Sequence, residues 1–546
     1  MLVPTIGIGF ILTTALAAAA PLSTVTLDCE YLILSFLRVN SSQLTDGTFT
    51  GLTNTSTGIV YFRGVRFADP PIGNLRWRTP VSPPSTHLGH VNASQFGPAC
   101  IPTSASNAVP GSTSEDCLFG NVFIPIATKP TSKLPVLVYF HGGGFEAGSA
   151  VSAPPDNLIQ GAAKPLIFVT FQYRLGQFGF LGGNEVAKDG LLNAGLWDQR
   201  AALEWVQRYI SAFGGDPQQV TIWGQSAGAG STMYHLIAEG GQDRHLFHRA
   251  MGDSSPFLFM PSSTDVFLQD LFVQFAGLAG CGGATDTMSC LRAASTQSLA
   301  VGGSSTLANL TSALFPFGPI MDGKFISVRP VEAFKSGKFL KVPVFFGSNT
   351  NEGSHWSAEL HNPAANTSEP NATEDTVFNF LSGQWPGLTR ATFNTATGPN
   401  FYPQTSFANF SLQGQQMYGE MRFICSGLMI TGALHDAGIA SFGYHWDNPI
   451  LGSDHASELQ MFYNIGEVFD PLDQTLAAEM RAYWTSFATD GVPSAAGAPT
   501  WTTAGTNGTP RMLLHPGQVG MEAVTSELTD RCAFWHSQEV IQELDT

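Results

Sequence analysis

Continuous runs of apolar residues that alternate with helical patterns constrain the fold of this chain more than any other feature. Such runs lack a polar face, which is typical of strands covered on both sides of a parallel sheet. They occupy residues 134–140, 166–171, 220–223, 342–346 and 441–446. Helix-compatible sequence follows the second and third runs, and no internal repeat or long linker separates the runs. The pattern predicts an α/β fold with a mostly parallel central sheet, helices on both faces and one large domain over residues 21–546.

Charge and hydropathy limit the partners that the chain can bind. Its 546 residues include 25 Lys and Arg against 42 Asp and Glu, which gives a formal net charge of −17 at pH 7. Nucleic acids and anionic lipids reward clustered cations, and no cationic run appears. No stretch after residue 20 reaches the roughly eighteen apolar residues that a membrane-spanning helix needs. We therefore expect no nucleic-acid partner and no stable membrane insertion.

The first twenty residues have the pattern of a secretory signal peptide. A short apolar stretch at residues 6–16 leads into the alanines at 17–20, although no Lys or Arg precedes it. A buried helix or an anchor is the alternative interpretation. Eight Asn-x-Ser/Thr sequons follow, and with a signal peptide they favour a glycosylated, secreted protein. They are at Asn40, Asn54, Asn92, Asn309, Asn366, Asn371, Asn409 and Asn507.

The sharpest local motif is Gly-Gln-Ser-Ala-Gly at residues 224–228, between the apolar run at 220–223 and a helical stretch. In this context the serine occupies a strained strand-to-helix turn, where side chains at the flanking glycines would clash with the sheet and the helix. The turn exposes the Ser226 hydroxyl at a helix N-terminus, where it can attack a carbonyl. An ordinary glycine-rich turn is the alternative.

A second glycine-rich loop supports this interpretation. His-Gly-Gly-Gly-Phe at residues 141–145 ends an earlier strand and offers N–H groups that no side chain screens. Such groups can bind a carbonyl oxygen as it becomes an oxyanion, and Ala227 adds a further N–H. A phosphate-binding loop is the alternative, but no Gly-Lys-Ser/Thr follows.

A serine nucleophile needs a base, and the base needs an orienting acid, in the chain order serine, acid, histidine. His455 lies on a loop just past a strand, where α/β sheets place their chemistry. His435 falls in helical sequence and His445 alternates within a strand. For the acid, Glu352 directly follows a strand, and Asp322 is the rival. The residues alone leave both choices open.

The segment over residues 213–228 resembles the active-serine signature of type-B carboxylesterases and lipases, the cholinesterase-like family. It begins Phe-Gly-Gly-Asp-Pro and ends Gly-Gln-Ser-Ala-Gly. Glu-Asp-Cys-Leu at residues 115–118 is similar to the family's second signature, and the similarity extends from about residue 57 to the Cys532 region. The resemblance implies an α/β-hydrolase fold and a fungal-type secreted serine carboxylic ester hydrolase. Such an enzyme acts on a small-molecule ester and needs no metal or organic cofactor.

The resemblance also implies roles for individual residues. Ser226 would be the nucleophile, Glu352 the acid and His455 the base, with Ser254 supporting the triad from behind. The oxyanion donors would be the N–H groups of Gly143, Gly144 and Ala227. The implied disulfides are Cys100–Cys117, Cys281–Cys290 and Cys425–Cys532.

Two departures from the family bear on the substrate. The loop between Cys100 and Cys117 holds only sixteen residues, 101–116, with no Trp and little room for the lid helix of lipase relatives. Gln225 replaces the glutamate that cholinesterases have before the serine, which removes a negative charge. The short loop favours an open-access esterase, and the lost charge disfavours cationic substrates.

A third departure is the segment at residues 29–44, which interrupts what relatives show as one strand–turn–strand. It contains Cys29, which the implied disulfides leave unpaired. Deleting it would join residues 25–28 to residues 45–51 and restore a typical family opening. We hypothesise that an unspliced intron encodes this segment, and a genuine surface insertion is the alternative.

The sequence therefore predicts ester hydrolysis through an acyl-enzyme on Ser226, in a monomer or weak oligomer. A lipase or sterol esterase acting on long-chain esters is the first alternative, because the 40 Phe could line an acyl tunnel. A non-catalytic binding protein on the same scaffold is the second, although all three triad positions are filled.

Overall fold

The computed structural model describes residues 21–28, 45–463 and 469–546. The predicted signal peptide at residues 1–20 and the suspected insertion at 29–44, with Cys29 and Asn40, lie outside the described residues. The insertion hypothesis therefore stays a prediction. In the described flanks, Leu27 pairs with Gly47 across two antiparallel strands.

Most strands of the described residues belong to one large sheet. Its order is β1-β2-β3-β7-β9-β8-β10-β11-β12-β13-β14-β15, and β4 pairs with β2. The run from β9 through β8 to β14 is parallel throughout. Except for the β2–β4 pair, the pairs outside that run are antiparallel. The strands are β1 (Thr24–Asp28), β2 (Thr45–Asn54), β3 (Ile59–Arg66), β4 (His90–Ala93), β5 (Ala99–Cys100), β6 (Thr113–Ser114), β7 (Phe119–Pro125), β8 (Leu134–Phe140), β9 (Ile167–Phe171), β10 (Gly215–Gly224), β11 (Arg249–Asp253), β12 (Val344–Asn349), β13 (Ser441–Trp446), β14 (Arg511–Leu514) and β15 (Gly520–Glu522).

Helices connect the parallel strands and cover the sheet. They are α1 (Asp156–Gly161), α2 (Gly176–Gly179), α3 (Asn184–Asp189), α4 (Ala194–Tyr209), α5 (Ala227–Ile237), α6 (Val266–Leu278), α7 (Thr287–Ala293), α8 (Thr296–Asn309), α9 (Pro330–Ser336), α10 (Glu374–Gln384), α11 (Arg390–Ala396), α12 (Phe410–Gly419), α13 (Cys425–Asp436), α14 (Gln460–Tyr463), α15 (Pro471–Asp490), α16 (Ser526–Trp535) and α17 (Gln538–Leu544). A π-helical turn, Glu420–Ile424, joins α12 to α13. No helix of the described residues is both long and apolar enough to cross a membrane.

The central strand β8 shows why its sequence is apolar throughout. Val136 and Val138 enter one buried cluster, while Leu137 and Tyr139 enter another on the opposite face. Helices α4 and α5 contribute to the first cluster, and α1, α14 and α15 contribute to the second. Because each face needs its own cover, the strand has no polar side. The predicted mostly parallel sheet with helices on both faces is confirmed.

A third apolar cluster is built by α10, α11, α12, the π-helical turn and α17. Trp356, which follows β12, packs against this cluster. Phe423 of the π-helical turn belongs to the cluster and contacts His455 with a ring separation of 4.3 Å. The cluster therefore forms one wall around the end of the sheet where His455 lies.

The structure forms all three disulfides that the family resemblance implies: Cys100–Cys117, Cys281–Cys290 and Cys425–Cys532. Residues 101–116 contain no helix, and their short strand β6 pairs with β5. At the second signature, Glu115 pairs with buried Arg76, and Asp116 pairs with Arg66 at 2.6 Å. These ion pairs and the disulfide hold the short loop against the rest of the protein.

The predicted glycosylation sites differ in exposure. Asn54 and Asn366 are partly buried. The exposed sequon residues are Asn92, Asn309, Asn371, Asn409 and Asn507. Glycosylation at these positions stays a prediction.

Replacing both cysteines of Cys425–Cys532 by serine should destabilise the fold more than the same change at Cys281–Cys290. The two bridges close sequence separations of 107 and 9 residues. In the chain-entropy model, loops of these lengths are worth about 4.8 and about 2.6 kcal/mol of unfolding free energy. Thermal and urea unfolding of the two double variants measures the difference. Equal losses, or a larger loss at the short loop, would contradict the prediction.

Candidate active site

Ser226 stands on a sharp turn between β10 and α5, with φ 57° and ψ −124°. A Cβ on Gly224 would lie 2.3 Å from the carbonyl carbon of Gly228. A Cβ on Gly228 would lie 2.0 Å from the carbonyl oxygen of Phe140, at the end of β8. No side chain fits at either place, so the glycines permit the turn and leave Ser226 partly accessible at the helix start.

The turn is held by backbone hydrogen bonds on both sides. The Ser226 N–H donates to the Asp253 carbonyl at the end of β11, at 2.8 Å. The Ser226 carbonyl accepts the N–H of Gly230 in α5, also at 2.8 Å. The strained backbone of Ser226 is therefore fixed by its neighbours, which is the condition under which such strain persists.

Glu352 and His455 meet beyond the ends of the adjacent parallel strands β12 and β13. His455 Nδ1 lies 2.6 Å from Glu352 Oε2. The backbones that carry them are joined as well, because the Asn351 N–H donates to the Ser453 carbonyl at 2.9 Å. Parallel neighbours end at the same edge of a sheet, and that edge places the two side chains in contact.

The Glu352 carboxylate is buried and accepts several hydrogen bonds. Its Oε1 accepts the N–H of Asn349 at 2.8 Å and a short bond from the Ser254 hydroxyl. The Trp356 indole N–H donates to the Glu352 backbone carbonyl at 2.8 Å. Ser254 thus touches Glu352 from behind. These bonds fix the carboxylate, which in turn fixes the His455 ring.

The other nitrogen of His455 faces the nucleophile turn. His455 Nε2 lies 3.3 Å from the side-chain Nε2 of Gln225, the residue before Ser226. Among the described residues, no hydrogen bond joins His455 to the Ser226 hydroxyl. In an unliganded site such bonds are often long and tighten when substrate binds. The His455 ring packs against Phe423 and, at 5.3 Å, against Trp356.

The predicted oxyanion loop lies beside the nucleophile. A Cβ on Gly142 would lie 3.1 Å from the Ser226 Cβ. Gly144 has φ +64°, and a Cβ there would lie 2.1 Å from the Phe315 ring. Within the described part of the chain, no backbone carbonyl accepts the N–H groups of Gly143, Gly144 or Ala227. These three N–H groups are thus free of backbone acceptors, as the donors of an oxyanion hole must be before a substrate binds.

Sequence reasoning missed Glu146, which follows this loop and anchors it through hydrogen bonds to distant segments. Its buried carboxyl accepts the N–H of Phe317 at 2.8 Å, and its backbone carbonyl accepts the N–H of Thr103. Burial raises the pKa of the Glu146 carboxyl to about 8, against the lowering effects of the Phe317 N–H and the Arg422 charge. A buried acid inside a glycine-rich loop gives no periodicity signal, so only its position beside the motif could have drawn attention to it.

Two further buried acids lie behind Glu352 and were also missed. Asp253 accepts the indole N–H of Trp223 at 2.8 Å, and burial raises the pKa of the Asp253 carboxyl to about 7. Glu458 accepts the Asn349 side chain at 2.5 Å. Burial, with the charges of Asp253 and Glu352, raises the Glu458 pKa well above its usual range. Burial therefore disfavours the charged form of both acids.

The rival candidates for acid and base lie in other environments. Asp322 accepts the N–H groups of Lys324 and Ile326 in a turn. His435 lies in α13, and His445 in β13 contacts Glu522 at 2.8 Å. Among the predicted candidates, the structure brings Glu352 and His455 together beside Ser226.

The chain resembles several known proteins. It is 36% identical over 356 residues to Lipase 1 of Geotrichum candidum, covering 58% of this chain and 62% of that protein. It is 30% identical over 483 residues to Secreted triacylglycerol lipase LIP1 of Gibberella zeae, covering 81% and 80%. It superposes on Aspergillus niger EstA with a TM-score of 0.81 and 31% identity, covering 92% and 98%. The matched part spans about 62% of the length of the Geotrichum lipases.

The sheet, the nucleophile turn and the structural likeness define the chain as a protein of the α/β-hydrolase fold, which confirms that prediction. The carboxylesterase family model matches residues 38–535. The chain belongs to the carboxylesterase family.

Gly228→Ala should abolish most activity and lower the melting temperature, because its Cβ has no space beside the Phe140 carbonyl. We expect a loss of kcat/KM of roughly 100-fold or more, in line with displacement of a catalytic group by about 1 Å. Gly277→Ala in α6 is the matched control, since a Cβ there meets no atom within 4 Å. Hydrolysis of p-nitrophenyl acetate and thermal unfolding report both effects. Activity retained in Gly228→Ala would mean that the turn is looser than the structure shows.

Glu146→Gln should make the fold less sensitive to alkaline pH. The folded-state pKa of Glu146, about 8, lies above its ordinary value of 4.5, so folding retains a proton that the unfolded chain loses. Stability from this group is full below about pH 4.5 and falls as the pH rises to about 8. Gln keeps the acceptor for Phe317 and does not titrate.

The variant should therefore match the native protein in unfolding free energy at pH 4.5 and exceed it at pH 8. Urea unfolding across this pH range measures how the unfolding free energy of each protein depends on pH. Glu369→Gln, at an exposed position, is the control. Parallel curves for the native and Glu146→Gln proteins would show that Glu146 is ionised in the fold.

Proposed function

We propose that the protein is a secreted serine carboxylic ester hydrolase that acts through an acyl-enzyme on Ser226. The observation that carries the proposal is the Glu352–His455 pair facing the Ser226 turn. Among the described residues, no backbone carbonyl accepts the N–H groups of the nearby glycine loop and of Ala227 that could bind an oxyanion. Nucleophile, base, orienting acid and oxyanion donors are the parts that acyl transfer needs. Membership of the carboxylesterase family supports the same reaction.

In the proposed mechanism, His455 takes the Ser226 proton as the serine oxygen attacks the ester carbonyl. The N–H groups of Gly143, Gly144 and Ala227 hold the oxyanion, each worth roughly 3 kcal/mol of transition-state stabilisation. His455 then protonates the leaving alcohol, and water repeats the sequence on the acyl-enzyme. The Glu352 carboxylate holds the imidazole tautomer and stabilises the imidazolium.

Gln225 has a role in the proposed mechanism before the substrate binds. With the Nδ1 proton donated to Glu352, His455 Nε2 carries a lone pair, and the Gln225 amide can donate to it at 3.3 Å. A neutral amide gives up this bond more readily than a charged group would. Substrate binding would then let His455 turn from Gln225 to the Ser226 hydroxyl.

For the substrate, we propose a soluble ester rather than a lipid interface. The loop between Cys100 and Cys117 contains no helix that could act as an amphipathic lid. Aromatic side chains wall the site at short range, with Phe315 against Gly144 and with Trp356 and Phe423 against His455. This arrangement favours slender acyl and alcohol groups over bulky ones.

The second candidate is a lipase acting on long-chain esters. The names of the fungal relatives of this chain support the lipase, since one is a secreted triacylglycerol lipase of Gibberella zeae. The same name, together with the signal-like N-terminus, supports secretion of this chain. A non-catalytic binding role has less support, because Ser226, Glu352 and His455 are all present and positioned.

Hydrolysis of p-nitrophenyl esters from acetate to palmitate, each below and above its solubility limit, separates the candidates. We expect the highest kcat/KM at short chains with no jump at the interface. Ser226→Ala should lose roughly 10⁴-fold or more in rate, while exposed Ser85→Ala should match the native enzyme. A long-chain optimum with an interfacial jump would favour the lipase. Activity that survives in Ser226→Ala on every ester would defeat the proposal.

A further inference from the structure

Arg422 differs from the other buried arginines of this protein. Within the described residues, five buried guanidinium groups form ion pairs with carboxylates: Arg76–Glu115, Arg174–Asp198, Arg200–Glu239, Arg292–Asp189 and Arg511–Glu522. Arg422 is 6% exposed, and no carboxylate of the described residues lies within ion-pair distance of it. Burial of a cation is costly unless an anion or a set of acceptors compensates it. An unpaired buried cation therefore points to a ligand that supplies the missing charge.

The surroundings of Arg422 do not neutralise it. Glu420, two residues earlier on the same π-helical turn, is bound by Arg531 at 2.7 Å and by the Tyr402 hydroxyl at 2.6 Å. Glu146 is the acid whose pKa responds to the Arg422 charge, but burial holds that pKa at about 8. Burial thus favours the neutral form of Glu146. The other neighbours of the guanidinium are the rings of Phe315, Tyr418 and Phe423, at 5.3, 5.6 and 5.7 Å, which attract a cation but carry no charge.

The guanidinium borders open space rather than packed protein. Its nitrogens keep some accessible surface and are not fully enclosed by protein. Arg422 lines a cavity of about 40 Å³ together with Phe315, Pro316, Gly318 and Gln384. That space exceeds what one water needs, so a group of a few heavy atoms such as a carboxylate can enter.

Phe315 lines this cavity and also borders the oxyanion loop. The Arg422 guanidinium carbon lies 5.3 Å from the centre of the Phe315 ring, and the same ring packs against Gly144 of the oxyanion loop. Phe423, the next residue, packs against His455. A substrate arm that passes Phe315 on its way from the oxyanion loop would reach the guanidinium.

We propose that Arg422 is a specificity-determining residue that binds a free carboxylate carried by the substrate. The preferred substrates are then esters with a second acid group, such as monoesters of dicarboxylic acids. This inference rests on the proposed ester hydrolase function and names its substrate class. The net charge of −17 repels anionic substrates at long range, so a local cation is what would make such a substrate bind. Arginine is suited to the task because its planar fork matches a carboxylate.

The test compares p-nitrophenyl monoesters of adipic and suberic acid with the hexanoate and octanoate of matched length. The measured quantity is the ratio of kcat/KM for the acid ester to that for the neutral ester. Arg422→Gln should lower this ratio at least tenfold, which is the scale of a lost charged hydrogen bond. The kcat/KM of the neutral ester should change less than about threefold. Arg422→Lys, which keeps the charge and loses the fork, should lie between. Arg511→Gln removes a different buried guanidinium and should lower stability without changing the ratio.

A second measurement needs no variant. The monoamide of suberic acid should inhibit the native enzyme competitively and more strongly than the neutral diamide, and added salt should weaken the difference. Equal inhibition by the two compounds, or equal losses on acid and neutral esters in Arg422→Gln, would overturn the assignment. Hydrolysis of neutral esters without any preference for the acid esters defeats this inference alone. Absence of Ser226-dependent hydrolysis on every ester would defeat the proposed function first.

Discussion

The close approach of α5 to the end of β8 is the constraint on which the site depends. The Phe140 carbonyl occupies the space that a side chain at residue 228 would need. This contact lets α5 begin directly above the sheet, so that Ser226 turns outward with a positive φ. It also brings the loop after β8 against the serine, because Phe140 leads straight into the glycines of that loop. One steric contact thus sets Ser226 and the glycine loop after β8 relative to each other.

Much of this arrangement could be predicted from the sequence because it follows from strand ends. Glu352 and His455 each come just after an apolar run, and adjacent parallel strands end at one edge of the sheet. The family resemblance then chose between these residues and rivals such as Asp322. The nucleophile turn was predictable for a similar reason, since glycines on both sides of a serine have a steric meaning that is local in sequence.

The features that escaped prediction depend on contacts between distant segments. Glu146 matters because it receives the N–H of Phe317, which lies 171 positions further along the chain. Asp253 is buried under Trp223 and Trp484, from separate elements of the same face. Arg422 is unusual only for lacking a partner, and no pattern of residue types can show that. Burial and pairing are properties of the packed chain, so they become visible only with the fold.

The buried acids around the site explain how one carboxylate can serve as the orienting group. Desolvation penalises every charge in this region, and each acid has a different set of donors to offset the penalty. Glu352 collects the Asn349 N–H, the Ser254 hydroxyl and the His455 ring. Glu458 has one oxygen without any hydrogen-bond partner among the described residues.

Asp253 also accepts two indole N–H groups, from Trp223 and Trp484, so the contact with the His455 ring, rather than the number of donors, distinguishes Glu352 from the acids behind it. Neutral neighbours matter for the reaction, since a second negative charge behind His455 would hold its proton and slow transfer to the leaving alcohol. Burial has the same effect on Glu146 at the other side of the site. It favours the neutral carboxyl, so no charged acid offsets the nearby Arg422 cation. Away from the site, buried charges are held in ion pairs such as Arg174–Asp198, whereas Arg422 near the site has no carboxylate partner among the described residues.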